Sequence, residues 1–169
     1  GTAIKSGGRV MKNVTGLDLV KLLAGSHGTL GLLTEVTFKV LPLPEHAATL
    51  VLRGLDDSRA IAVLGVALGS PYDVTGAAHL PAGLGSGAQT LIRLEGLAFS
   101  VNHRVGELRR LLRSEGMIDL IEGEAAAALW RTVRDVEPLA EPRDAAIWRI
   151  STAPTRGPDL AGVIGRLIP

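Results

Sequence analysis

The pattern of hydrophobic and polar positions changes character near residue 44. Before that point, leucines at helical spacing predict a short helix over residues 18–23, which Asp18 is placed to cap. A glycine-rich loop follows, and strict alternation of apolar and polar residues predicts a half-buried strand over residues 35–40. The first part of the chain is therefore expected to run helix, loop, strand.

After residue 44 the two periodicities alternate along the chain. Apolar runs and period-two alternation predict four strands, and apolar positions three and four apart predict two helices between them. In order along the chain, these are a strand over 48–52, a helix from Asp56 or Asp57 to Gly69, strands over 73–80 and 89–95, a helix over 100–113 and a strand over 117–121. This βαββαβ order is typical of the ferredoxin-like arrangement, in which two helices cover one face of an antiparallel sheet. The strands over 73–80 and 89–95 are predicted to pair as a hairpin. A further helix over 124–134 and a strand over 145–151 are predicted to extend the sheet, and Trp130 and Trp148 are expected as core residues.

A domain boundary is predicted where the two patterns meet. Alternating leucine and proline at residues 41–44 hold the backbone extended and remove amide donors, as linkers between domains often do. All four lysines, which are Lys5, Lys12, Lys21 and Lys39, precede this segment, and the later basic residues are arginines. We therefore expect an α+β protein with one domain over 1–44 and a second over 45–169.

Composition excludes several functions. The 169 residues include no cysteine, which rules out disulfide frameworks, iron–sulfur clusters and cysteine nucleophiles in this chain. A net charge of +1 and only 2 Trp, 1 Tyr and 2 Phe argue against nucleic-acid binding. No apolar run approaches the roughly 20 residues of a membrane helix. No metal site is expected, because His46, His79 and His103 lack ligand spacing.

The segment over 25–31 carries the clearest chemical signal. Gly25, Gly28 and Gly31 recur every three residues, so the backbone can approach a ligand closely and offer free amide donors to a phosphate or a flavin. A tight glycine connection without any ligand fits the same pattern equally well. The dinucleotide fingerprint does not fit, because this loop is predicted to follow a helix and precede a strand.

Three motifs around this loop resemble one protein family. They are K-N-V-x-G-x-D from residue 12, G-S-x-G-x-L-G from residue 25 and L-T-E-x-x-x-K-V-L-P from residue 33. In that order they resemble the end of the FAD-binding domain in FAD-linked oxidases of the vanillyl-alcohol oxidase type, and among these the flavin subunits of bacterial glycolate oxidase. Residues 91–96 and 147–151 resemble two strands of the cap domain in the same proteins.

The resemblance implies a domain arrangement and a cofactor. Residues 1–44 would be the C-terminal part of the FAD-binding domain, and 45–169 a ferredoxin-like cap domain, incomplete at its C-terminus. The chain would thus be a middle portion of a longer protein, inactive when isolated. FAD would be bound mainly by backbone groups, and the positions implied are Asn13, Gly16, Gly25, Ser26, Gly28, Thr29, Gly31, Leu32 and Leu33. No catalytic residue is singled out.

The function implied is an FAD-dependent oxidation of a small 2-hydroxy acid, such as glycolate to glyoxylate. The expected partners are the other glycolate oxidase subunits, namely a second flavin subunit and an iron–sulfur subunit. The expected location is the cytoplasm, with attachment to the inner face of the membrane through those partners. The isolated chain is expected to self-associate through the strand over 35–40. The alternative is a non-catalytic ferredoxin-like module for subunit interaction that no longer binds flavin.

Overall fold

The computed structural model describes residues 2–12, 16–84 and 87–167. The chain consists of two compact units, one over residues 1–43 and the other over residues 44–169. Their internal structures differ strongly, because the second unit contains a layered hydrophobic core and the first is mostly irregular.

Among its described residues, the first unit contains one short helix, α1 (Leu19–Leu23). Asp18 caps it, as predicted, because its carboxylate accepts a hydrogen bond from the amide of Lys21 at 3.4 Å. The predicted strand over 35–40 is wrong. These residues have no assigned secondary structure and are exposed, since alternation alone forms a strand only where another strand supplies hydrogen-bond partners.

The second unit is built on a four-stranded antiparallel sheet. Its strands are β1 (His46–Arg53), β2 (Gly76–Leu80), β3 (Gln89–Gly96) and β4 (Ile118–Glu122), in the spatial order β2-β3-β1-β4. The register places Leu50 of β1 opposite both Ile92 of β3 and Leu120 of β4. The predicted α+β class and the antiparallel pairing of β2 with β3 are confirmed.

Two helices cover one face of this sheet. They are α2 (Asp57–Leu68), whose first turn is capped by Asp56, and α3 (Ala98–Leu111). Alternate strand residues meet apolar residues of both helices in a single core, which contains Ala48, Leu50, Leu52, Ile92, Leu94, Val63, Leu64, Ala67, Val101, Val105, Leu108 and Leu112. The period-two and helical patterns predicted this packing because each element buries one face.

The opposite face of the sheet carries helix α4 (Gly123–Asp135). Its Trp130 donates a hydrogen bond from Nε1 to Oγ1 of Thr49 at 2.9 Å. Thr49 alternates with the core residues of β1, so this bond fixes α4 on the face away from α2 and α3. The helix predicted over 124–134 is confirmed.

The C-terminal part differs from the sequence prediction. Residues 145–151 do not form the predicted strand, and Trp148, expected as a core residue, is 82% exposed. Among the described residues no strand pairs with this segment, and an apolar run forms a strand only where such a partner supplies hydrogen bonds. Instead the chain forms helix α5 (Gly157–Leu167), which lies against α2 and was not predicted.

Arg104 of α3 ties the helix to neighbouring segments. Its guanidinium donates to the carbonyl oxygens of Tyr72 at 3.3 Å, Asp73 at 3.0 Å, Glu95 at 2.8 Å and Ser100 at 3.3 Å. The side chain is 11% exposed, so these bonds satisfy carbonyl groups in a mostly dry setting. The start of α3, the end of β3 and the turn before β2 are joined through one residue.

Candidate functional site

The glycine-rich loop over 25–31 directly follows α1 in the first unit. Gly25, His27 and Gly28 have positive φ angles of 80°, 50° and 78°, a conformation that favours glycine. The amide of Thr29 donates to the Ser26 carbonyl oxygen at 3.0 Å, and the Thr29 hydroxyl donates to the same oxygen at 2.7 Å. These bonds close a tight turn over residues 26–29.

The loop has amide donors that the protein does not use. Within the described part of the chain, the N–H groups of His27, Gly28 and Gly31 have no hydrogen-bond partner. A Cβ placed on Gly28 or Gly31 meets no described atom within 4 Å, so space lies open beside both residues. Free N–H groups beside open space are what a backbone-bound anion or polar ligand requires.

The predicted cofactor residues form one cluster and two outliers. Those after α1 all lie in one mostly exposed segment over 25–33, with Ser26 half-buried, Leu32 90% exposed and Leu33 58% exposed. Gly16 (φ 80°) lies on the other side of the five-residue helix α1. Asn13 falls outside the described residues. The predicted loop positions thus lie together after α1, whereas Gly16 precedes the helix in the chain.

Two exposed ion pairs lie in the first unit, on either side of the loop in the sequence. Lys21 Nζ lies 2.8 Å from the Asp18 carboxylate, and this hydrogen-bonded contact lowers the pKa of Asp18 and raises the pKa of Lys21. Arg9 lies 3.6 Å from Glu35, which brings the start of the unit beside the segment after the loop. Both pairs are exposed, so they orient the segment more than they stabilise it.

A second candidate site lies in the other unit, between α4 and the sheet. It is a groove of about 630 Å³ lined by residues of β1, β3 and α4. The guanidinium of Arg93 lies over the Trp130 ring, with Cζ 4.7 Å from the ring centroid. Its Nε is 3.4 Å from a Glu95 oxygen yet is buried without a hydrogen-bond partner among the described residues.

The sequence analysis did not identify this groove. The sequence places Arg93 in a predicted strand and Trp130, 37 positions later, in a predicted helix. Their meeting depends on the packing of α4 on the sheet, which no local pattern specifies. Within the described residues, no cluster of three or more His, Asp or Glu could hold a metal ion, and no helix is long and apolar enough to cross a membrane.

Comparison with known sequences shows which class of protein the chain resembles. It is 41% identical over 64 residues to the uncharacterized FAD-linked oxidoreductase Rv2280 of Mycobacterium tuberculosis, covering 38% of this chain and 14% of that protein. It is 47% identical over 51 residues to glycolate oxidase subunit GlcD of Bacillus subtilis, covering 30% of this chain and 11% of that protein. Over these regions the chain is similar to FAD-linked oxidases, in agreement with the resemblance of its motifs.

A longer match gives a particular relative. Over 151 residues, or 89% of its length, the chain is 34% identical to glycolate oxidase subunit GlcE of Escherichia coli. It spans 38% of that protein. No protein-family model matches the chain.

Proposed function

We propose that this chain is part of an FAD-dependent 2-hydroxy-acid oxidoreductase similar to the flavin subunits of glycolate oxidase. The observation that carries the proposal is the 34% identity to subunit GlcE, because it extends over 89% of the chain and so includes both units. Residues 1–44 would be the end of the FAD-binding domain. Residues 45–169 would be the ferredoxin-like cap domain, whose βαββαβ order and sheet order β2-β3-β1-β4 support this assignment.

The glycine-rich loop fits a flavin cofactor. Its unpaired amides at His27, Gly28 and Gly31 can donate to polar atoms of FAD, while Leu32 and Leu33 offer exposed apolar contacts. Ser26 and Thr29 hold the turn through the Ser26 carbonyl oxygen, so they act on its shape. When bound, FAD supplies the redox chemistry by accepting two electrons from the 2-hydroxy acid, and the protein supplies binding and orientation.

The proposal extends to partners and location. A second flavin subunit and an iron–sulfur subunit would receive the electrons, and the assembly would lie in the cytoplasm, at the inner face of the membrane. The name of relative GlcE, a subunit, supports an assembly of several chains. The chain itself has no cysteine to hold an iron–sulfur cluster, so such a cluster would have to be on a partner.

Anaerobic reduction by substrate tests this function. The protein is purified at its natural length, its visible flavin absorption is recorded, and glycolate or D-lactate is added without oxygen. We expect a yellow protein whose flavin band bleaches with one of these acids and is unchanged by acetate, which has no hydroxyl to oxidise. The isolated residues 1–169 are expected to bind FAD with a Kd weaker than about 1 μM, roughly 8 kcal/mol.

Two results would contradict the proposal. A colourless protein that takes up no added FAD would favour the non-catalytic interaction module. A flavoprotein whose band stays unchanged with every 2-hydroxy acid would retain the cofactor assignment and remove the substrate class.

A further inference from the structure

The groove beside α4 contains an arginine whose hydrogen-bonding capacity is unused. A guanidinium has five N–H donors in a planar fork, and within the described residues Arg93 makes no hydrogen bond with any of them. Two other groove arginines are engaged, since Arg131 donates to Glu124 at 2.5 Å and Arg134 binds Asp135 through two bonds at 2.7 and 2.9 Å. Arg93 therefore differs from its neighbours in having donors available to a ligand.

The position of Arg93 is held by its surroundings. Trp130 lies against the guanidinium, and Trp130 is itself fixed by its bond to Thr49, which is 1% exposed. Gly76 lies against the pair and has no side chain to displace it. A Cβ at this position would lie only 3.0 Å from Arg93 Nε and 3.2 Å from the Trp130 ring. A guanidinium group whose position is already fixed loses little conformational entropy when it binds an anion.

The charge around Arg93 selects the kind of anion. Glu95 lies beside the guanidinium at 3.4 Å without a hydrogen bond, so it neutralises part of the positive charge and leaves the outer donors open. A singly charged planar carboxylate matches the two parallel donors of a guanidinium. A doubly charged phosphate would meet stronger repulsion from Glu95.

We propose that Arg93, whose guanidinium lies over the Trp130 ring, binds the carboxylate of a small monocarboxylic acid in this groove. The volume of about 630 Å³ admits such an acid, and α4 contributes the short side chains of Ala126 and Ala127 to the lining beside Trp130. The inference deepens the proposed function, and rests on it only for the choice of glycolate and D-lactate as probes.

Fluorescence of Trp130 tests the site without flavin. The 169-residue chain contains 2 tryptophans, and Trp148 is 82% exposed, so a Trp148→Phe background leaves Trp130 as the reporter. Acetate, glycolate, D-lactate and inorganic phosphate are each titrated at constant ionic strength set with chloride. We expect saturable change with the carboxylates in the millimolar range, and at least tenfold weaker binding of phosphate.

Three variants separate recognition from folding. Arg93→Gln should weaken carboxylate binding at least tenfold, and Arg93→Lys should weaken it as well, because an ammonium keeps the charge but lacks the fork. Arg53→Gln removes the same charge from the same sheet, where Arg53 pairs with Asp119 at 2.9 Å, and should bind as the parent does. Urea unfolding of each variant verifies that the unit is folded.

Carboxylate titrations without saturation, or equal affinity in the parent and in a folded Arg93→Gln variant, would overturn the proposal. Phosphate binding as tight as carboxylate binding would overturn the choice of ligand. Saturable carboxylate binding in a protein whose flavin glycolate does not reduce would support the Arg93 site and count only against the proposed reaction.

Discussion

Arg104 is the residue whose loss should damage the second unit most by breaking hydrogen bonds. Its guanidinium donates to four carbonyl oxygens of three segments, and the side chain is 11% exposed. Arg104→Met keeps much of the apolar stem and leaves those carbonyls without their donor. We expect the free energy of unfolding to fall by about 2 kcal/mol or more, measured by urea denaturation.

Arg53 provides the matched control for that measurement. It also forms a charged hydrogen bond, to Asp119 at 2.9 Å, but its side chain is 54% exposed. Arg53→Met should cost less than about 1 kcal/mol, because water replaces an exposed partner. Equal losses in the two variants would show that burial of Arg104 is unimportant.

Gly28 tests the candidate flavin loop at a single backbone position. Its φ of 78° is strained for a β-branched side chain, and no described atom lies within 4 Å of a Cβ there. In the protein at its natural length, Gly28→Val should abolish flavin retention while the second unit unfolds at the same urea concentration. Flavin content per protein and urea unfolding measure the two effects.

Gly28→Asn separates backbone strain from occupied space. Asparagine tolerates positive φ better than valine, so this variant relieves most of the strain while still placing a side chain in the open space. Flavin loss in both variants indicates that the cofactor needs that space. Full flavin content in Gly28→Val would remove the loop from the cofactor site.

Residue patterns predicted the loop and missed the groove for one physical reason. The loop residues are consecutive, so their glycine spacing was visible in the sequence and the positive φ angles follow from it. Arg93 and Trp130 come together only through the packing of α4 on the sheet. Trp148 shows the converse error, since a large apolar side chain was expected in the core and is exposed.

At the scale of elements, helix α1 should respond to acid through its cap. The hydrogen bonds from Lys21 lower the pKa of Asp18, so the charged cap is fully formed above the ordinary carboxyl pKa of about 3.9. It should be lost only as the pH falls through the lower pKa of the folded state. An NMR titration of the Asp18 carboxyl group should therefore give a midpoint below the ordinary value.

Removing the ammonium group of Lys21 should reverse the lowering of the Asp18 pKa. Lys21→Gln takes away the side-chain hydrogen bond, the largest cause of the lowered pKa, and should raise the midpoint toward the ordinary value. Lys39→Gln, a change of equal charge elsewhere in the unit, should leave it unchanged. A common midpoint in all three proteins would show that the Asp18–Lys21 contact does not persist in solution.

The strand predictions were correct where the residue pattern of a strand was matched by a partner strand beside it. β1 is a largely apolar run and β3 places Ile92 and Leu94 on one face, and the two strands pair along their whole length. Both were predicted within two residues of their ends. Residues 35–40 alternate strictly and residues 145–151 are largely apolar, but neither segment has a described strand paired with it. Helix α5 was missed because glycine and proline at its start read as a turn.

At the scale of the whole molecule, the exposed apolar residues after the loop should make the chain self-associate. Phe38 is 78% exposed and Val40 79%, in a segment with no secondary structure. Contiguous exposed apolar residues favour association because contact removes them from water. Sedimentation over a range of concentrations should show species heavier than the monomer of 17.6 kDa.

Two phenylalanine variants locate the contact. Phe38→Ser should reduce the association, whereas Phe99→Ser, at a phenylalanine 87% exposed on α3, should not. A chain that stays at monomer mass at high concentration would contradict the prediction. An equal effect of both variants would show that exposed apolar area in general drives association.

The contact of Gly76 with Arg93 and Trp130 makes substitutions at these three positions depend on one another. A methyl group at Gly76 would lie 3.0 Å from Arg93 Nε and 3.2 Å from Trp130, so the two larger side chains depend on the smallest one. Substitutions at residues in such contact are non-additive. Alanine at position 76 should become tolerable once position 93 or 130 carries a shorter side chain. Sequence drift at these three positions is therefore expected to be epistatic, with the order of changes deciding which of them survive.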